Sequence, residues 1–190
     1  MKVYGLTGKT GAGKSTVALY LKEKGFYVID GDLIAREITL KGKPALKELA
    51  DFFGDDIIDE DGNLIRSLLA SRAFCSKENT HRLNCITHPH IYREFIEEIN
   101  KAEKEGYEKA LIDAAAILES ECKNLCEKII VVTAPEKLRL ERILERDSIT
   151  QQQALTRMRA QKDDEYYLSQ ADIIVRNYPP YEIKSQLSDI

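Results

Sequence analysis

Residues Gly8-Lys9-Thr10-Gly11-Ala12-Gly13-Lys14-Ser15 match the pattern G-x-x-x-x-G-K-[ST]. Few stretches this short restrict a fold so tightly. The loop must run from a strand into a helix. Its glycines let backbone N–H groups close on phosphate oxygens with no Cβ in the way, and the helix that follows turns the positive end of its dipole toward an anion. Val3 to Thr7 is an apolar, β-prone run directly before the loop. Val17, Leu19, Tyr20 and Leu21 give a helical pattern directly after it, over Thr16 to Lys24. A mere glycine turn would leave four fixed positions and two agreeing flanks to coincidence. Gly8, Lys9, Thr10, Gly11, Ala12, Gly13, Lys14, Ser15 and Thr16 are therefore the expected nucleotide-binding residues. Lys14 is placed to reach the β- and γ-phosphates, and the Ser15 hydroxyl to ligate Mg²⁺.

The rest of the composition narrows the class. A chain of 190 residues suggests one domain with small appendages. Lys and Arg total 28 against 32 Asp and Glu, a net charge of −4, which gives no global pull toward nucleic acid or an anionic membrane. No apolar run approaches 18 residues, and Met1-Lys2-Val3 leads straight into a strand instead of a signal peptide, so a cytoplasmic protein is expected. Cys75, Cys85, Cys122 and Cys126 form no C-x-x-C pair and read as reduced thiols. Cys75, His81, Cys85, His88 and His90 are close in sequence, but their spacing matches no structural zinc site. The single turn between His81 and Cys85 is accounted for by helix packing.

Along the chain, Gly25 stops the first helix and Phe26 to Ile29 forms a second strand ending in Asp30-Gly31-Asp32. Carboxylates at the carboxyl end of such a strand sit where α/β proteins bind ligands. One of them can orient and deprotonate an attacking hydroxyl, and Asp32 can also N-cap a helix over Leu33 to Ile38. From Leu40 to Gly106 the text is mostly helical. It holds a turn around Asp61-Gly62 that fails the calcium-loop spacing, and a break between two helices is expected at His88-Pro89. The loose D-x-x-G match at Asp59 has no guanine-reading N-K-x-D to support it. Arg66 and Arg72 follow the turn, with the planar fork suited to phosphate. Ala110 to Asp113 is an apolar strand ending in an acid, the pattern that supports Mg²⁺. Ile129 to Thr133 is β-branched and uncharged, as interior parallel strands are. Pro135 is expected at the first position of a helix that carries Arg139, Arg142 and Arg146 on one stripe. Ser148 to Gln161 continues as helix, Asp163-Asp164-Glu165 reads as a mobile acidic run, and Ile173 to Val175 is the last strand. The expectation is an α/β fold: a five-stranded parallel sheet with helices on both faces. Residues 1–190 would form one domain with a core of 1–39 and 107–190, a helical insert at 40–106 and a small lid at 147–168. Closing such a lid excludes water from a transferring phosphate.

These residues together resemble the dephospho-coenzyme A kinases, nearly end to end. The loop opens the likeness. Val28-Ile29-Asp30-Gly31-Asp32-Leu33-Ile34-Ala35-Arg36 is similar to a block that ordinary nucleotide kinases lack. Asp61-Gly62-x-Leu64-x-Arg66, Arg72-Ala73-Phe74 and Leu83-Asn84-x-Ile86-x-His88-Pro89-x-Ile91 follow in the family's order. Arg142, Arg146-Asp147, Arg157-x-x-x-Gln161 and Ala171-Asp172 complete it. The resemblance implies transfer of the ATP γ-phosphate to the ribose 3′-hydroxyl of dephospho-CoA. It implies Asp32 as general base, and Lys14 with Arg142 in the phosphate and nucleotide machinery. It further implies the insert, with Arg36, Arg66 and His88, as the acceptor's site, and Ser15 with Asp113 near Mg²⁺. The implied partners are ATP and dephospho-CoA, and a monomer is expected. The chain departs from the family's usual text at Ala115-Ala116-Ile117-Leu118-Glu119, at Asp164 and Tyr167 where basic residues are common, and at Asn177-Tyr178-Pro179-Pro180. Two other readings remain at this stage: a kinase for a nucleoside or nucleoside monophosphate, and a nucleotide-dependent binding protein of slow turnover.

Overall fold

A computed structural model describes residues 1–190. The chain divides into two compact units, Met1–Ile29 with Ile99–Ile190, and Asp30–Glu98. The first is built on five strands: β1 (Lys2–Thr7), β2 (Tyr27–Asp30), β3 (Lys109–Asp113), β4 (Lys128–Thr133) and β5 (Ile173–Arg176). They form one sheet in the order β2-β3-β1-β4-β5. β1 pairs in parallel with β3 from Lys2↔Lys109 to Leu6↔Asp113, and with β4 from Tyr4↔Lys128 to Thr7↔Val131. β4 continues in parallel to β5 from Ile130↔Ile173 to Thr133↔Arg176. The five parallel strands are those expected from the sequence, each with its boundaries within a residue or two. Because β1 is central while the chain winds first to one side of it and then to the other, the loop after Thr7 emerges where open α/β sheets bind ligands.

Helix α1 (Lys14–Glu23) packs Val17, Ala18 and Leu21 against Tyr4, Leu6, Leu111, Ile130, Val132 and Val175, with Phe26 and Leu187 closing that core. The apolar runs noted in the strands are thus the sheet side of this core, and burial of such side chains is worth about 1.5–3 kcal/mol each. α6 (Glu136–Asp147) and α7 (Gln151–Arg159) share a smaller core of Ile143, Ala154 and Met158. Pro135 is the N-cap of α6, not its first residue: its extended ψ of 146° keeps it outside the first turn. α7 begins at Gln151 behind a capping box of Thr150 and Gln153, so the helix expected from Ser148 starts three residues later. The acidic run expected to be mobile is instead a helix start, with Asp163 accepting from the Tyr166 N–H to cap α8 (Asp164–Leu168). A last short helix, α9, covers Ile183–Gln186.

The second unit holds α2 (Gly31–Glu37), α3 (Pro44–Phe53), α4 (Arg66–Ala73) and most of α5 (Lys77–Lys104). Leu49, Ala50, Phe53, Ile57, Leu69, Ala73 and Ile86 form its core. The turn at Asp61-Gly62 closes a single antiparallel bridge between Ile58 and Leu64. The break expected at His88-Pro89 is absent: Pro89 lies inside α5. The ring removes one N–H from the ladder, a local penalty of about 3 kcal/mol. The helix carries its buried face on both sides of that point, with Ile86 before it and Ala102 after it, and this burial overrides the local preference.

Candidate functional site

The phosphate loop is held open by its neighbours. Gly11 and Gly13 have φ of 77° and 90°, values that L side chains rarely adopt. A Cβ on Gly11 would meet the backbone of Arg139, and one on Gly13 the side-chain amide of Asn177. Arg142 of α6 donates from Nη1 to the carbonyls of Gly11 (3.3 Å) and Ala12 (3.2 Å), and from Nη2 to the Asn177 carbonyl (2.8 Å). Asn177, just past β5, donates from Nδ2 to the Ala12 carbonyl at 3.0 Å. The Thr10 N–H donates to Gln161 Oε1 at 2.9 Å, and Lys9 Nζ pairs with Asp164 Oδ1 at 2.6 Å. Loop carbonyls are thereby turned onto protein donors, which leaves the remaining N–H groups to face a ligand.

Within that frame, the side chains of Lys14, Ser15 and Thr16 take part in no hydrogen bond or ion pair, and Ser15 and Thr16 are exposed. An ammonium and a hydroxyl at the N-terminus of α1 are groups chemically able to receive a phosphate and a hard cation. Asp113 ends β3 in register with Leu6 of β1, and the next residue, Ala114, donates its N–H to the Leu6 carbonyl at 3.2 Å. Thr7 Oγ1 donates to the Ala115 carbonyl at 3.0 Å, so the segment that departs from the family's usual text is tied to the residue preceding the loop. Hydroxyl and carboxylate oxygens at Ser15 and Asp113 are the donor set Mg²⁺ prefers.

In the second unit, Asp30 and Asp32 have different duties. Asp30 Oδ1 accepts from the N–H groups of Asp32 (2.9 Å) and Leu33 (3.0 Å), so Asp30 is the N-cap of α2. Asp32, expected as a possible cap, lies inside the helix because Gly31 already belongs to the first turn. Its carboxylate is exposed and has no bonded partner. Arg66 donates from Nη2 to Thr39 Oγ1 at 3.2 Å and to the Arg36 carbonyl at 3.3 Å, while the Arg36 side chain is exposed. His88 is half-buried in α5 beside Pro89.

The three arginines on the α6 stripe diverge. Arg146 forms a fork with Asp147, and Arg157 joins it; the Arg146 hydrogen bond is the main reason the Asp147 carboxyl lies below the usual aspartate range. Arg142 is bound to loop carbonyls. Arg139 is buried without a partner on Nη1. None bonds Glu141 or Glu145, as a self-contained helix stripe would. Neighbouring Tyr167 is pushed above the ordinary phenol range, chiefly by burial. Sequence reasoning missed Asn177 and the buried state of Arg139, because their partners lie far along the chain. Gln161 was legible only through the family's R-x-x-x-Q spacing.

The family model for dephospho-CoA kinase matches residues 2–180. The chain belongs to the dephospho-CoA kinase family. A dephospho-CoA kinase of Corynebacterium glutamicum is 41% identical over 173 residues, covering 91% of this chain and 86% of the relative. Among solved structures, TT1252 of Thermus thermophilus superposes with a TM-score of 0.83 at 26% identity, covering 97% of this chain and 93% of that one. A dephospho-CoA kinase of Campylobacter jejuni matches with a TM-score of 0.61 at 28% identity and the same coverages. Family membership makes the chain an ATP-dependent kinase, a transferase. No helix is long and apolar enough to cross a membrane.

Proposed function

We propose that this chain transfers the γ-phosphate of ATP to the ribose 3′-hydroxyl of dephospho-CoA, giving coenzyme A and ADP, the last step of CoA synthesis. The observation that carries the reading is the pairing of an anchored loop with an unpartnered Lys14 and Ser15 at its end, in a chain matched over residues 2–180 by that family. Lys14 and the loop N–H groups bind the phosphates and stabilise the charge that develops as the β–γ bridging P–O bond breaks. Arg142 holds the loop in its receptive shape beside the nucleotide. The Asp32 carboxylate accepts the 3′-hydroxyl proton as the new P–O bond forms, and ADP leaves. Asp32 is favoured over Asp30 because Asp30 Oδ1 already accepts two backbone N–H groups as the cap of α2. Ser15 and Asp113 would hold Mg²⁺, Asp113 through water, and the ion would supply charge neutralisation between the phosphates. The insert over residues 40–106, with Arg36, Arg66 and His88, takes the acceptor, and residues 147–168 act as a lid. The enzyme works as a cytoplasmic monomer, with neither nucleic acid nor membrane as a partner.

An acceptor panel tests this: purified chain, ATP and Mg²⁺ are incubated with dephospho-CoA, adenosine or AMP, and the products are separated. Coenzyme A should form, with the other acceptors at least about 100-fold poorer in kcat/KM. Faster transfer to adenosine or AMP would assign the chain to a different acceptor.

A further inference from the structure

The first unit contains a cavity of about 270 Å³ beside the phosphate loop. Lys9 and Ala12 of the loop form one wall, but Lys14 and Ser15 do not reach it. Val132 and Ala134 at the end of β4, Ile174 of β5, and Tyr167 and Leu168 of α8 give it a largely apolar and aromatic surface. Its charged groups are Lys9, Arg139, Arg176 and Asp164. Three cations against one carboxylate leave an excess of two positive charges.

Arg139 is the unusual member. It is 6% exposed, its guanidinium takes part in no hydrogen bond or ion pair, and Nη1 is fully buried with no partner. Arginine cannot shed its proton to relieve this, and an uncompensated buried charge is strongly unfavourable. The sole carboxylate lining the cavity is already paired, Asp164 with Lys9 at 2.6 Å. Other cations of the segment are occupied elsewhere: Arg157 on Asp147, Lys162 over the Tyr166 ring and Arg176 over the Tyr181 ring. The site therefore presents a buried, unsatisfied fork donor in a pocket whose remaining walls suit a ring or alkyl body.

We propose that this cavity is a second ligand site, taking a small phosphate monoester with an aromatic or apolar body, its phosphate on Arg139 and its body against Tyr167 and Leu168. With Lys9 on Asp164 and Arg176 over the Tyr181 ring, Arg139 is the cation left to receive phosphate oxygens, and the ring accounts for the apolar lining. The proposal goes beyond the kinase reading and stands without it.

The test is a calorimetric titration of the whole chain with phenyl phosphate, with and without saturating ADP. Saturable binding with a Kd of about 1 mM or below is expected, unchanged by ADP. Arg139→Gln and, independently, Ile174→Glu should each weaken it at least about tenfold. Ile174 is 43% exposed, so that variant keeps the fold even where loss of Arg139 does not. Phenol and inorganic phosphate should bind at least about tenfold more weakly than phenyl phosphate. No saturable binding, displacement by ADP, equal affinity for inorganic phosphate, or affinity retained in Ile174→Glu would each overturn the assignment.

Discussion

The two ends of the phosphate loop show what the fold does with like residues. At the leading end, Lys9 is paired with Asp164 and the Thr10 N–H is bound to Gln161. At the trailing end, Lys14, Ser15 and Thr16 have no side-chain partner. The second unit repeats the division across one glycine: Asp30 caps α2, while Asp32 has nothing bonded to it. In each pair one side chain is engaged by the fold and the other has no partner within it. What separates them is the presence of a donor or acceptor at bonding distance, a property of the fold and not of residue type.

Substitutions can break that division, beginning with the largest effect. Lys14→Ala should lower kcat/KM for phosphate transfer by about 10²–10⁴-fold with the melting temperature nearly unchanged, because no protein group depends on it. Lys9→Ala, at the tied end, should cost less than about tenfold; comparable losses in both would erase the contrast. Arg142→Ala should act mainly through stability. Losing charged hydrogen bonds to three carbonyls is worth about 2–3 kcal/mol, a drop in melting temperature of about 5–10 °C by calorimetry. Asp30→Ala removes a helix cap and should cost about 1 kcal/mol by denaturant titration. Asp164→Asn frees Lys9 and removes an ion pair whose carboxylate is exposed, so a change of about 1 kcal/mol or less is expected.

The smallest effect concerns pH. The Asp147 carboxyl is held below its ordinary value, first by the Arg146 hydrogen bond. A depressed carboxylate stabilises the folded state above its unfolded pKa and loses that contribution as the pH falls through the folded value. Wild type should therefore lose stability relative to Asp147→Asn only below about pH 4. A difference between the two that grows toward neutral pH would contradict the sign.

Most of the sheet was legible because its strands are apolar, β-branched runs bounded by glycine, proline or charge, and such runs specify buried parallel strands locally. The loop was legible from its fixed glycines, lysine and serine, and α1 from the apolar pattern that follows them. Other features depend on partners the local text cannot show. Ala12 and Asn177 are 165 residues apart, and Gly11 and Arg142 are 131 apart. The proline at position 89 reads as a stop in any local account, yet burial on both sides carries α5 through it. The duties of Asp30 and Asp32 were indistinguishable in the sequence. Where the helix starts, with Gly31 as its first residue, decides which of two carboxylates two residues apart meets the N–H groups. Arg139 and Arg142 share a stripe for the same local reason, and only tertiary contacts separate them.

The decisive measurement is the rate of coenzyme A formation from ATP and dephospho-CoA, by product separation, for wild type, Asp32→Asn and Asp30→Asn side by side. Wild type should make coenzyme A, Asp32→Asn should be slower by about 10²–10⁴-fold, and Asp30→Asn should stay within about tenfold of wild type. No coenzyme A from wild type, or a larger loss in Asp30→Asn than in Asp32→Asn, would contradict the account.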